Sequence, residues 1–209
     1  MDDETLTRQL AANLDEAFEG LVRAHQDRLY AFGLRLTGST RDAEEIAQDA
    51  FVRAYRALQG YPPERVQALK LRAWLFQVTV NVARNRVRRH RLAETPLVSA
   101  DGSHDGLAQL PADDAEQPEM VAERQDAQHR LAAVVATLPE RYRAAVVLRH
   151  VQGLSYQEIA EVLGQPAGTV KSNVHRGVAQ LRAALDGAGL DLGVGERGSQ
   201  SAGLALGTA

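Results

Sequence analysis

Lys171, Ser172, Asn173, His175 and Arg176 place five polar side chains within six residues, and their chemistry matches the edges of duplex DNA. Lysine and arginine donate to guanine, an asparagine amide pairs with adenine through two bonds, and a serine hydroxyl reaches bases or phosphates. His175 alone would read as a surface histidine, and only its neighbours bring it into the set. A second concentration lies earlier, where Arg84, Arg86, Arg88, Arg89 and Arg91 put five guanidinium groups into eight residues with His90 among them. Cations at a helix C-terminus complement the macrodipole, but five exceed what capping needs, so a phosphate-binding surface is the stronger reading. Tyr61, Trp74, Asn81 and Asn85 lie upstream or on the same helix. Aromatic faces stack single-stranded bases and amides bond their exposed edges. Trp74 stays open between that role and a place in the core.

These groups need rigid elements behind them. Ser155-Tyr156-Gln157-Glu158 has the form of a capping box that starts a helix. Ile159, Ala160 and Leu163 face inward, and Gly164 supplies the left-handed backbone of a tight turn. Pro166 sits near the first turn of the following helix, where its missing N–H costs nothing. Val170 and Val174, four apart, bury one face and leave the polar set outward. The whole reads as a helix-turn-helix over Ser155 to Arg182; the alternative is a plain helical hairpin with a solvated polar face.

Upstream, residues 15–59 read as two helices, with Phe18, Leu21, Val22, Leu29, Phe32 and Leu36 on one and Ile46, Ala50, Phe51, Ala54 and Leu58 on the other. Thr40 is the expected N-cap of the second, and Gly60-Tyr61-Pro62-Pro63 ends it. A third helix runs from about Leu71 to Arg91, with Trp74, Leu75, Val78 and Val82 on its apolar face. Residues 94–119 have no sustained period and are rich in Asp, Gly, Pro, Ser and Ala, which reads as a linker. A second helical body begins near Met120. Seven of the last 23 residues are glycine, so the tail from 187 is expected to be disordered.

Composition agrees with an all-α protein of two small helical domains. The chain has 209 residues, 44% hydrophobic, only 5% aromatic, dominated by helix-forming types. With no cysteine there is no disulfide framework, thiolate zinc site or cysteine nucleophile. The acidic Met1-Asp2-Asp3-Glu4 start is unlike a signal peptide, and no apolar run approaches a membrane span, so a cytoplasmic protein without stable membrane insertion is expected. The net charge of -3 hides a partition: residues 1–93 carry 15 basic against 12 acidic residues, 94–128 one against nine, 129–186 seven against four, and the rest one against two. Two mildly basic bodies are joined by an acidic segment. Six scattered histidines show no metal-ligand spacing, and no nucleophile elbow or phosphate loop occurs. No enzyme, catalytic residue, metal or cofactor is expected.

With these blocks in order, the sequence resembles a bacterial sigma factor of the extracytoplasmic-function (ECF) class, group IV of the sigma-70 family. The carrying residues are Asp42 to Tyr55 (DAEEIAQDAFVRAY), Ala73 to Asn85 (AWLFQVTVNVARN), Leu138 to Arg143 (LPERYR), Gly153 to Ala160 (GLSYQEIA) and Gly168 to Ser172 (GTVKS). The resemblance implies sigma region 2 over 1–93, a flexible acidic linker over 94–119, sigma region 4 over 120–186 and a tail over 187–209. It implies core RNA polymerase contacts at Asp42, Glu45, Gln48, Asp49 and Arg53, a face that charge pattern alone reads as solvated. Minus-ten contacts follow at Tyr61, Trp74, Asn81, Arg84, Asn85, Arg88 and Arg89, and minus-35 contacts at Thr169, Lys171, Ser172, Asn173, His175 and Arg176. Expected partners are core RNA polymerase, promoter DNA as duplex and melted strand, and an anti-sigma factor. The linker is open between threading the polymerase cleft and serving as a self-repelling spacer. Asn173 and Val174 stand where arginine and leucine are common in the family, and the double proline after Tyr61 departs from its usual loop. Gly177 is expected to weaken its helix by about 1 kcal/mol relative to alanine. A one-component helix-turn-helix regulator is the alternative from another class.

Overall fold

The computed structural model describes residues 2–93 and 130–188, and every regular element among them is a helix. The linker expected over 94–119, the opening of the second body at 120–129 and the tail beyond 188 lie outside the described residues, as does the side chain of Arg89. In chain order the helices are α1 (Asp3–Ala12), α2 (Leu14–Thr37), α3 (Thr40–Gln59), α4 (Pro63–Gln67), α5 (Leu71–Ala93), α6 (described over 130–136), α7 (Glu140–His150), α8 (Tyr156–Leu163) and α9 (Ala167–Ala188).

The antiparallel pair α2 and α3 forms the platform of the first body. Gly38, at φ 74°, ends α2 in the left-handed conformation that suits glycine, and Ser39 rather than Thr40 caps α3, its Oγ accepting from Asp42 N at 3.2 Å. The expected cap is thus displaced by one residue, because Ser39 has the extended backbone a cap requires while Thr40 is already helical. Gly33 lets the two helices cross closely, since a Cβ there would sit 3.1 Å from Ala43 Cα. Phe32 is fully buried and meets Phe76 of α5 edge to face at 5.1 Å, while Phe18 packs against Phe51 and Tyr55. Burying one such ring stabilises by roughly 1.5–3 kcal/mol.

Two elements escape the periodicity of the sequence. Helix α1 has only Leu6 and Leu10 as large apolar anchors, both buried against α2 and α4, and Asp2 caps it by accepting from Thr5 N at 2.7 Å. Helix α4 is one short turn inside the double-proline loop, with Pro63 in its first turn and Val66 buried. Five residues are too few to show a helical period.

Helix α5 departs from the single apolar face expected for it. Leu71, Ala73, Leu75, Phe76, Thr79, Val80, Val82 and Ala83 are all buried, whereas Trp74 and Val78 are only half-buried. The reason is tertiary: α5 packs on α2 and α3 on one side and on α8 of the second body on another. Gln77 Nε2 donates to Glu161 O at 3.2 Å, Lys70 pairs with Glu161 at 3.5 Å, and Arg143 of α7 donates to the Leu36 carbonyl at the end of α2. A cavity of about 420 Å³, lined by Leu36, Val80, Ala83, Arg84, Arg143 and Leu163, lies along this junction.

In the second body, Gly177 is buried where α9 crosses α7, and a Cβ there would stand 2.5 Å from Val146 Cγ2 and 3.1 Å from Tyr142 Cβ. The expectation that glycine merely weakens the helix is therefore incomplete: its missing side chain permits the crossing. Gly177→Ala should gain about 1 kcal/mol of helix propensity yet lose more to overpacking, for a net destabilisation of about 1–2 kcal/mol in urea unfolding. A more stable variant would contradict the close crossing.

His25 on α2 is buried with its Nε2 lacking a hydrogen-bond partner, 3.5 Å from Asp3 Oδ1. Burial lowers its pKa below the usual 6.5, with Arg28 and Arg72 adding to the effect and Asp3 opposing it. Because the folded state prefers the neutral ring, the associated stability is present above pH 6.5 and is lost as pH falls below it. Denaturation at pH 7.5 and 5.5 should show a smaller acid loss for His25→Gln than for the wild-type chain; equal losses would remove His25 from the account.

Candidate nucleic-acid interface

The helix-turn-helix is built by α8 and α9. Ser155 and Glu158 form the full capping box: Ser155 N donates to Glu158 Oε2 at 2.8 Å and Glu158 N to Ser155 Oγ at 3.2 Å. Hydrogen bonds from the Ser155 hydroxyl and backbone hold the Glu158 carboxyl below the usual carboxylate range. Gly164, at φ 63°, ends α8 and turns the chain into α9. Val170 and Val174 are buried, and this seats α9 so that Thr169, Lys171, Ser172, His175 and Arg176 are exposed along its first turns.

Two members of the set have intramolecular partners. Asn173 is half-buried and donates through Nδ2 to Gln165 Oε1 at 3.2 Å, which ties α9 to its own turn. Arg176 reaches the Tyr142 hydroxyl: burial works against ionisation of that phenol, but hydrogen bonds from Arg141 and Arg176 outweigh it and lower its pKa. Arg141 also stacks over the Tyr142 ring at 4.6 Å. Gln165 has no periodicity or motif to mark it, and its role emerges only from the turn geometry.

On the first body, the step of 100° per residue divides α5 into faces. Trp74, Asn81, Asn85 and Arg88, at offsets of 7, 11 and 14, fall on one stripe. Asn81 and Arg88 are exposed, Asn85 and Trp74 half-buried. Tyr61 stands beside Trp74 with ring centroids 6.2 Å apart, and the Arg65 guanidinium lies 3.7 Å over the Tyr61 ring. This is an aromatic pair with a cation at one end and amides and arginine along the helix. Arg84 sits off that stripe, on the side of Gln77, and its Nη1 approaches Leu163 O at 3.5 Å.

The outward face of α3 carries Gln48, Asp49 and Arg53, with Asp49 and Arg53 exposed and Asp42 and Glu45 half-buried at its start. Arg86 of α5 bridges the last two, Nε to Asp42 Oδ1 at 2.7 Å and Nη1 to Glu45 Oε2 at 2.5 Å. Hydrogen bonds from Arg86, then from Arg41, keep the Glu45 carboxyl below its usual range. In the middle of this polar face stands Val52, 49% exposed and the most exposed large apolar residue of the described chain. Motif and charge pattern do not single it out, although an apolar residue interrupting a charged stripe is a signal in its own right. Among the described residues no group of three His, Asp or Glu side chains is gathered to hold a metal ion. No described helix is long and apolar enough to cross a membrane.

A helical protein that presents a capped helix-turn-helix with polar side chains along its second helix has the architecture of a DNA-binding protein. Comparison with known proteins agrees: residues 21–93 match the Sigma-70 region 2 family and residues 128–181 the Sigma-70 region 4 family. The ECF RNA polymerase sigma factor SigE of Mycolicibacterium smegmatis is 37% identical over 185 residues, covering 87% of this chain and 68% of that protein. SigW of Bacillus subtilis is 31% identical, covering 85% of this chain and 94% of its own. Among solved structures, CnrH in complex with the cytosolic domain of CnrY superposes with a TM-score of 0.62 at 26% identity, over 88% of this chain and 97% of that one. The chain belongs to the ECF sigma-70 family and is an alternative sigma factor for transcription initiation.

The exposed pair on α9 generates a direct test. Lys171→Ala and Arg176→Ala should each weaken binding to a duplex probe carrying the promoter's upstream element by about 1–3 kcal/mol, and removal of a phosphate contact should lower the salt slope by about 0.9. Gel-shift titrations at several salt concentrations would detect this, and wild-type affinity in both variants would place the duplex elsewhere.

Proposed function

We propose that the chain directs core RNA polymerase to promoters by holding the minus-35 element on α9 and the melted minus-ten strand on α5, as a group IV sigma factor acting in the cytoplasm. The observation that carries this reading is the single stripe of Trp74, Asn81, Asn85 and Arg88, flanked by Tyr61, on a chain that also presents a helix-turn-helix. Stacking of a base on an aromatic face is worth about 1–3 kcal/mol, and phosphate contacts from Arg84, Arg88 and Arg89 add to it. Thr169, Lys171, Ser172, Asn173, His175 and Arg176 carry the duplex contact. The α3 face of Asp42, Glu45, Gln48, Asp49 and Arg53, with Val52 added, docks on polymerase. Region 2 then comprises residues 1–93 and region 4 residues 120–186, with 94–119 as the acidic linker and 187–209 as the tail.

No covalent chemistry belongs to the sigma factor in this scheme. Contact energy from duplex and captured strand offsets the cost of opening DNA, and polymerase performs catalysis. The two promoter elements lie about 25 base pairs apart, roughly 85 Å at ~3.4 Å each. In the structure α8 lies against α5, so reading both elements at once requires the bodies to separate. The linker of residues 94–119 can span at most ~90 Å when extended, which is just sufficient. The likeness to CnrH, solved with the cytosolic domain of CnrY, supports a protein that binds the sigma factor as a further partner, and an anti-sigma factor is proposed in that role. The sigma factor RpoE of Bartonella quintana, solved with the anti-sigma factor NepR, shares the fold.

Transcription in vitro with purified core polymerase and a promoter library, with start sites mapped, tests the proposal. Added protein should produce initiation at a defined class of promoter, and Arg88→Ala combined with Arg89→Ala should reduce open complexes, more steeply at raised salt. Absence of initiation from every promoter would sink it.

A further inference from the structure

Among the described arginines of the α5 cluster, Arg86 has its donors on carboxylates of α3. Arg86 lies about 160° around the helix from Arg88 at 100° per residue, on the side facing α3. Its side chain is 24% exposed, with Nε on Asp42 and Nη1 on Glu45, while Arg41 holds Glu45 from the other side at 3.2 Å. Burial works against the charge of Arg86, but the two carboxylates outweigh it and raise its pKa. The two carboxylates open the docking face of α3, and the arginine directly follows Asn85 and stands two residues before Arg88 of the strand stripe. One charge cluster therefore joins both surfaces.

We propose that Arg86 is a positioning residue for strand capture: it fixes the cationic end of α5 against α3 through Asp42 and Glu45, without touching DNA itself. This rests on the strand-capture reading above. Without Arg86, Asp42 loses this partner, Glu45 keeps only Arg41, and the end of α5 loses its tie to the platform, so the strand stripe is no longer held in register. A lysine keeps the charge but, as a point charge on a flexible stem, cannot hold two carboxylates in a fixed fork.

The test uses holoenzyme assembled from core polymerase and the full chain, titrated with a forked DNA probe whose non-template minus-ten segment is single-stranded, across a salt series. Arg86→Gln is expected to weaken binding about tenfold at fixed salt with an unchanged slope of log affinity against log salt, and Arg86→Lys to fall between it and wild type. A slope reduced by about 0.7 in Arg86→Gln would mean that Arg86 itself meets a phosphate and would overturn the positioning role, as would wild-type affinity. Should circular dichroism show Arg86→Gln unfolded, Arg86→Lys decides by affinity: a loss of several-fold is expected, and wild-type affinity overturns the positioning role. Arg88→Ala separates the positioning role from strand capture itself. If it changes neither affinity nor slope, strand capture by α5 is wrong and the proposal falls with it. If it lowers both while Arg86→Gln behaves as wild type, only the role of Arg86 is overturned.

Discussion

The structure turns on a conflict within α5, which must be buried and cationic at once. Its first half supplies Leu71, Leu75, Phe76 and Val80 to the core, and its second half carries the cluster from Arg84 to Arg91. A helix meets both demands only by dividing its circumference. One side packs on α2 and α3, another is covered by α8, and the stripe through Trp74, Asn81, Asn85 and Arg88 is what remains. Because the division is set by the fixed step of 100° per residue, moving any member by one position would carry it into a neighbouring face.

That division gives the charges different work although their chemistry is the same. Arg86 is engaged by Asp42 and Glu45, Arg143 by the carbonyl groups ending α2 and α6, and Arg149 by Leu154 O and the Tyr156 ring. Arg88 remains exposed on the stripe, and Arg84 is exposed but turned toward Leu163. Guanidinium groups suit both uses, since several fixed donors can satisfy carbonyls at helix ends as readily as phosphates. Counting basic residues therefore overstates the surface available to DNA.

The two bodies obtain precision by different means. In the helix-turn-helix, the capping box at Ser155, the left-handed Gly164 and the close crossing at Gly177 are local devices that orient α9 within a short stretch of chain. The first body relies on contacts distant in sequence, such as Phe32 with Phe76 and Asp15 with Tyr55, to bring α3 and α5 together. A surface assembled from residues about forty positions apart is sensitive to every helix between them.

The order of blocks in the sequence determined the all-helical class, the helix-turn-helix and its turn glycine, because caps, glycines and apolar spacing act within a few residues and need no partner. The family was legible for the same reason. Tertiary structure alone decided which polar groups face outward: Asn173 toward Gln165, Arg86 toward α3, Arg84 toward α8, with Val52 left bare on a charged face. It also brought out α1 and α4, whose few apolar residues mean little until the two pack on each other and α1 on α2. The physical cause is common to all of these: side-chain chemistry is written at each position, but availability depends on which neighbouring helix packs over it.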